Sequence, residues 1–243
     1  MADGIRRRLE EGPIRDPSFI RHYWRLSRRP TKWAARWVAT KMRKLGVPPT
    51  ARVLDIGCGP GWLARFLAQH FPAMHFYALD ASETMIIQAR HGAGSERSET
   101  EGPTVRFLVG DGCRLPFRSE RFDLVISGAT IHHVLDPVAF FNEIGRVLGR
   151  AGHVIISDLN RSVPRMLWPL VQVADWIERR LRPAGARQLS EGFVASFEAA
   201  YDTDEIRQFL SRSALGPRVR FYPRRLQHWI QTPPAARKPP KTF

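Results

Sequence analysis

The chain has 243 residues, with 38 Lys+Arg against 23 Asp+Glu, a formal net charge of +15, and two cysteines. That length holds one large domain with appendages, no apolar run is long enough to span a membrane, and Cys58 and Cys113 build neither a disulfide framework nor a metal-ligand cluster. The start, residues 1–8, is basic with no apolar core behind it, so it does not read as a secretory signal and cytoplasmic is the expected location.

The charge is uneven. Net charge is +9 over residues 1–50, −2 over 51–160 and +8 over 161–243. Basic flanks point to an anionic partner: an anionic substrate, an acidic lipid surface or nucleic acid. The plain alternative is an arginine-rich composition with no partner behind it.

Residues 16–46 read as helix, with Phe19, Tyr23, Trp24, Leu26, Trp33, Trp37, Val38 and Met42 set among arginines and lysines. Pro30 is expected to split it in two, with Thr31 as the second N-cap. Such an aromatic, basic helix suits packing on the domain or lying on a membrane surface. Gly46-Val47-Pro48-Pro49 ends it.

Val53-Leu54-Asp55-Ile56 is a short apolar run of the kind that forms a buried parallel strand. Gly57, Gly59 and Gly61 follow, and from Trp62 the apolar residues return at helical spacing. A strand, a glycine turn and a helix N-terminus together make an anion-ready crevice. A dinucleotide fingerprint would need glycine at position 62, where Trp62 stands. Asp55 would repel a pyrophosphate but meet an ammonium group.

His75–Asp80 reads as the second strand, ending in an acid a little over twenty residues past Gly57. An acid at that tip can accept from both ribose hydroxyls. Ser82 is the expected cap of the next helix, with Met85, Ile86 and Ala89 inward. Residues 92–103 are small and polar, a surface loop. Residues 104–110 form the third strand, followed by Asp111-Gly112-Cys113. Residues 122–127 form the fourth, followed by Gly128-Ala129-Thr130-Ile131-His132-His133, which should line the crevice beyond the strand ends. Pro137 starts a helix that Gly149 or Gly152 stops, and 153–158 is the fifth strand.

Residues 166–177 form a strongly apolar helix bounded by arginines. Residues 193–201 read as a loop, followed by a capped helix from Thr203. Residues 218–222 and 226–230 fit two final strands. The tail, 233–243, is rich in proline and lysine and reads as disordered.

The stretch 52–64, with Asp80, Asp111 and the His-His turn, resembles the class I S-adenosylmethionine-dependent methyltransferases. It is most similar to the small-molecule ubiquinone/menaquinone-biosynthesis-like (methyltransferase type 11) group. The resemblance covers roughly residues 50–160. It implies an α/β, doubly wound, seven-stranded and mostly parallel sheet, a Rossmann-like methyltransferase fold whose last two strands form an antiparallel pair. It implies an N-terminal helical lid over 1–50, a methyltransferase domain over 51–232, and a helical insertion at about 161–200 that builds the acceptor pocket.

The cofactor it implies is S-adenosyl-L-methionine, held by Asp55, Gly57, Cys58, Gly59 and Gly61, by Asp80 and Ala81 at the ribose, by Asp111, Gly112 and Cys113 at the adenine, and by Ser127. In that family the acid after the third strand accepts from the adenine amino group and the following backbone N–H, assigned here to Cys113, meets a ring nitrogen. Tyr23, Trp24 and His132 are the lid and substrate candidates. His132 and His133 are the candidate general bases, since imidazole titrates near neutrality.

No Asn-Pro-Pro-Tyr-like motif follows the fourth strand, and neither cysteine lies where a cytosine-C5 enzyme would need its nucleophile. Ser127 stands where a metal-dependent catechol enzyme would have an acid, so no metal is expected. The expected partner is a small lipophilic or aromatic acceptor, with peripheral membrane contact. An RNA substrate on the basic flanks and a non-catalytic cofactor-binding scaffold are the alternatives.

Overall fold

The computed structural model describes residues 17–91, 105–181 and 192–233. The loop expected at 92–103 and the tail from 234 onward lie outside them. The elements in chain order are α1 (Pro17–Leu45), β1 (Arg52–Ile56), α2 (Trp62–His70), β2 (His75–Asp80), α3 (Glu83–His91), β3 (Val105–Val109) and β4 (Phe122–Gly128). They continue with α4 (Pro137–Val147), β5 (Leu148–Leu159), α5 (Trp168–Leu181), α6 (Gly192–Ala199), α7 (Thr203–Ser211), β6 (Arg220–Pro223) and β7 (Gln227–Gln231).

The strands make one seven-stranded sheet in the order β3-β2-β1-β4-β5-β7-β6. β1 to β5 run parallel, while β7 pairs antiparallel with both β5 and β6. The order reverses at β1, whose neighbours are β2 and β4, and a crevice opens there at the carboxyl ends of the strands. The predicted doubly wound sheet and its antiparallel end are both present.

Alternation along the strands sends side chains to two faces. Val53, Phe76, Leu124, Ile126 and Ile155 bury against α1 and α2. Leu54, Ile56, Val125, Val154 and Ile156 bury against α4 and α7. Near-continuous apolar strands such as β4, where Phe122, Leu124, Val125 and Ile126 are all buried, follow from having both faces covered.

Four local expectations are corrected. Pro30 does not split the N-terminal helix: α1 runs unbroken through it, so Thr31 is no N-cap. Packing on both sides of the proline, Trp24 on Trp62 and Ala35, Val38, Ala39 and Met42 in the core, overrides a cost of about 3 kcal/mol. No glycine stops α4. Leu148 closes it in an extended conformation and β5 begins at once, five residues before the predicted strand. Residues 192–199 are helical rather than loop, because Val194 and Phe197 bury against Val171 and Leu167. The cap of α7 is Asp202, whose carboxylate accepts from the Asp204 and Glu205 amides while Glu205 accepts from the Asp202 amide. Arg161, just past β5, is 2.8 Å from Glu205 and 3.3 Å from Asp202, which ties this helix start to the end of the central strands.

Candidate active site

The glycine turn is built by sterics. Gly57, Gly59 and Gly61 all have positive φ, at 69°, 52° and 78°. At Gly57 a Cβ would fall 2.2 Å from Thr130 Oγ1, and at Gly61 one would fall 2.5 Å from the Phe107 ring. The first contact brings the turn after β1 onto the turn after β4; the second seats the start of α2 on β3. The Gly57 and Cys58 amides both donate to the Leu79 carbonyl, at 2.8 and 3.0 Å, so the turn is pinned to β2.

Asp80 stands at the tip of β2. Its Oδ2 accepts from the Gly59 amide at 2.7 Å and its Oδ1 from the Ser82 amide at 2.9 Å. Each carboxylate oxygen has two lone pairs, so one on each remains for a further donor. Burial pushes the Asp80 pKa up, against the pull of the two amides. Ala81 beside it is exposed, and Ser82 caps α3 through the Met85 amide at 3.2 Å.

Asp55 is the most unusual group here. It is 1% exposed, and its Oδ2 has no hydrogen-bond partner. Burial, then the negative charge of Asp80, raise its pKa to about 7, opposed by the Ala64 amide. An orphaned buried carboxylate oxygen under a glycine turn is a place for a cation or a donor.

Beyond β3, Asp111 Oδ1 accepts from the Cys113 amide at 2.8 Å. The amide expected to meet a ring nitrogen is therefore already bonded to its neighbour. The Gly112 amide has no such bond among the described residues, and a Cβ there would lie 2.8 Å from the Phe140 ring. Cys58 is buried, its Sγ 3.6 Å from the Gly59 carbonyl, and burial holds its thiol pKa well up, so the sulfur is inert. Ser127 spends its hydroxyl on the Ile56 carbonyl at 2.8 Å, which ties β4 to β1.

The two histidines differ. His132 is buried, with Nδ1 2.7 Å from Asp158 Oδ1. Asp158 lies at the end of β5 and also accepts from the amides of Ile131, His132 and Leu159. Burial opposes its ionisation, but His132 and these amides outweigh burial and hold its pKa below the usual carboxylate value. Asp158 accepts a hydrogen bond from Nδ1–H, which orients the ring and turns Nε2 away from it. His133 packs 4.1 Å from His132, ring to ring. Burial and then the neighbouring His132 lower its pKa to about 3, so it is neutral and a poor base.

Tyr23 and Trp24 lie in the first half of α1. Trp24 packs on Trp62 at 4.8 Å, and its carbonyl accepts from Trp62 Nε1 at 2.8 Å. That places it at the start of α2, beside the glycine turn. Tyr23 is 37% exposed.

Past β5, a cavity of about 600 Å³ is lined by Leu159, Leu167, Val171, Phe197 and Trp229, with Arg224 and Arg225 among its other walls. Trp37 of α1 stacks on Trp229 at 4.1 Å, so α1 reaches this edge of the sheet too. The sequence assigns no site role to Thr130, to Asp158 as a partner of His132, or to Trp62 as a contact of α1. Thr130 lies in the stretch expected to line the crevice, whereas the partnership of Asp158 with His132 carries no local signal.

Comparisons with known proteins agree with the fold. Residues 54–156 match a family model described as a methyltransferase domain. The demethylmenaquinone methyltransferase of Roseiflexus castenholzii is 34% identical over 147 residues, 60% of this chain and 57% of that one. The ubiquinone biosynthesis O-methyltransferase of Cereibacter sphaeroides is 30% identical over 166 residues, 68% of this chain and 60% of that one. The 2-methyl-6-phytyl-1,4-hydroquinone methyltransferase of Synechocystis is 29% identical, and this chain spans 46% of it. The chain thus spans about half the length of the curated relatives it matches. A methyltransferase structure from Aquifex aeolicus, 17% identical, shares the fold with a TM-score of 0.59 over 89% of this chain and 97% of that one. A Methanococcus maripaludis structure, 18% identical, does so with a TM-score of 0.63 over 92% and 95%. Residues 54–156 thus match a methyltransferase domain, and the chain has the Rossmann-like fold of the S-adenosylmethionine-dependent methyltransferases.

Proposed function

We propose that the chain transfers a methyl group from S-adenosyl-L-methionine to a small, lipophilic or aromatic acceptor. The observation that carries this reading is the orphaned Oδ2 of Asp55 beneath the glycine turn, with Asp80 at the neighbouring strand tip. The cofactor carries an ammonium and a ribose diol, and these two acids suit them in kind. Asp55 faces the ammonium, and Asp80 takes the ribose hydroxyls on its spare lone pairs. Gly57 and Gly59 let the ligand approach the backbone, and Cys58 and Ala81 flank it. Asp111 accepts from the adenine amino group, and the Gly112 amide is the better donor to the ring, since that of Cys113 is engaged. Ser127 and Thr130 hold the floor.

When bound, the cofactor supplies a methyl group already activated by its sulfonium. The protein's task is to align the acceptor and exclude water. His132, oriented by Asp158, takes the acceptor's proton at Nε2 where that acceptor is a hydroxyl or an acidic carbon. His133 stays neutral and packs beneath it. Trp24 and Tyr23, on the first half of α1, cover the cofactor as a lid, and the described parts of the expected insertion, residues 161–181 and 192–200, form the acceptor side.

The acceptor's lipophilic character is supported by α5. Leu170, Val173, Trp176 and Ile177 recur along it at helical spacing and are exposed, as is Met166 in the turn before it. Such a stripe suits peripheral contact with a membrane that stores the acceptor. Within the described residues no helix is long and apolar enough to cross one.

The test is incubation with methyl-labelled cofactor and a cell extract, followed by separation of organic-soluble, nucleic-acid and protein fractions. Label in the organic fraction supports this reading. Label in RNA would instead make the basic flanks a substrate surface.

A further inference from the structure

We propose that the cavity past β5 binds an anionic amphiphile, an apolar body carrying one carboxylate or phosphate, with that acidic group on Arg224 and Arg225. The proposal deepens the methyltransferase reading by naming the acceptor's class. It rests on that reading for the acceptor's role, not for the binding itself.

The cavity, about 600 Å³, is large enough for a small ligand, and its walls are chiefly apolar. Leu159 comes from the end of β5, Leu170 and Val171 from α5, Phe197 from α6 and Trp229 from β7. Phe197 belongs to a helix that also packs on the turn holding His132 and His133. Leu159 directly follows Asp158. The cavity and the turn that carries the candidate base thus share a wall helix, α6.

Its rim is cationic. Arg224 and Arg225 line it from the turn between β6 and β7, both are exposed, and neither guanidinium is paired with a described residue. Neighbouring arginines are spent: Arg161 on Glu205 and Asp202, Arg207 on Asp204, Arg218 on the carbonyls of Gly145 and Leu148. Asp175, the acid nearest along α5, is buried and accepts from the Val194 amide at 3.2 Å.

The turn is also held in place, which a chance pair of surface arginines would not require. Asn160 is 4% exposed and sits immediately after β5. Its Nδ2 donates to the Arg224 carbonyl at 2.8 Å, and its backbone amide donates to the Leu226 carbonyl at 3.1 Å. The Arg224 amide closes the turn on the Gln227 carbonyl at 2.9 Å. The backbone that carries the two guanidiniums is thus fixed at the mouth of an apolar cavity, an arrangement matching a ligand with a wet acidic end and a dry body.

The test is calorimetric titration of the full chain with decyl phosphate, decanoate and decanol below their aggregation limits, and with inorganic phosphate. The two acids should bind at least tenfold more tightly than decanol, and more weakly as salt rises. Arg224→Gln with Arg225→Gln should abolish that preference, and Val171→Asp should weaken all three alkyl ligands. Equal affinity for decanol and decanoate would overturn the proposal. So would inorganic phosphate binding as well as decyl phosphate, which would mean a surface anion site. Vesicles of phosphatidylglycerol that bind through the two arginines while decyl phosphate does not would assign them to a bilayer headgroup and overturn it as well. S-adenosylhomocysteine is titrated into every preparation. If it binds and the amphiphiles do not, this inference fails alone; if it does not bind, the methyltransferase reading fails independently.

Discussion

The imidazole of His132 and the carboxylate of Asp158 meet at 2.7 Å, buried together at the end of the sheet. Twenty-six residues separate them, and the parallel pairing of β4 with β5 brings them together. Asp158→Asn keeps the size but removes the charge that fixes the proton on Nδ1. Turnover should fall by about 10²- to 10⁴-fold, the usual worth of an acid–base group, while affinity for S-adenosylhomocysteine stays within about threefold. Asp158→Ala also strips the Ile131, His132 and Leu159 amides of their acceptor. It should cost on the order of 3–5 kcal/mol of folding stability, read from denaturant unfolding.

Asp55 gives a pH signature. Its folded pKa, about 7, lies above the unfolded value of 3.8. Between these values the native state holds a proton that the unfolded state has released. The cofactor-free protein should therefore lose stability as pH rises from about 4 to 7. Asp55→Asn should flatten that loss and be more stable than the parent above pH 7, by a few kcal/mol. The same substitution should weaken cofactor binding at pH 8 by at least tenfold. Melting curves across pH and calorimetry at pH 8 read the two effects, and a parallel fall in both proteins would refute the assignment.

His133 bears on the acid side. Its pKa of about 3 lies below the unfolded 6.5, so folding excludes a proton that the unfolded chain takes up. That contribution to stability is complete above pH 6.5 and is lost as pH falls from there toward 3. His133→Phe should make unfolding less sensitive to pH between 6 and 4, as measured by urea midpoints.

The glycine turn and the β2 tip should be the most exacting positions for the cofactor. Asp80→Ala leaves the Gly59 and Ser82 amides without their acceptor and should abolish tight cofactor binding. Gly57→Ala drives a methyl group into Thr130 at positive φ and should cost about 2 kcal/mol or more of stability. If Asp80→Ala bound S-adenosylhomocysteine as the parent does, the cofactor assignment would fall.

The parts legible in the sequence are those encoded by neighbours in the chain. Val53 to Trp62 announces strand, turn and helix within ten residues, and Asp80 follows at a fixed distance set by one helix and one strand. The apolar period finds α4 and α5 for the same reason. What stayed hidden is set by register or by burial. Nothing around Asp158 marks it as the partner of His132, since that depends on how far β5 slides along β4. Asp158 and Asn160 faintly resemble the metal-dependent catechol O-methyltransferases in sequence, and nothing in that resemblance shows that Asn160 holds the β6–β7 turn. The helix at 192–199 starts with glycine and has no cap signal, and it exists because α5 gives it a surface to bury against. The Cys113 amide was assigned to a ligand because sequence cannot show that Asp111 folds back onto it.

Pro30 has a mechanical consequence. A proline carries no amide hydrogen, so the hydrogen-bond ladder of α1 has a missing rung where the Leu26 carbonyl would be met. Beyond it, Ala35, Val38, Ala39, Met42 and Leu45 are sunk in the core. Before it, Ile20 is buried and the Trp24 carbonyl is moored by the Trp62 indole. The missing rung falls between the half that builds the core and the half that packs on the start of α2. A bend there would leave the core half in place and load the contacts of Ile20 and Trp24, so one helix carries two attachments that can be strained separately.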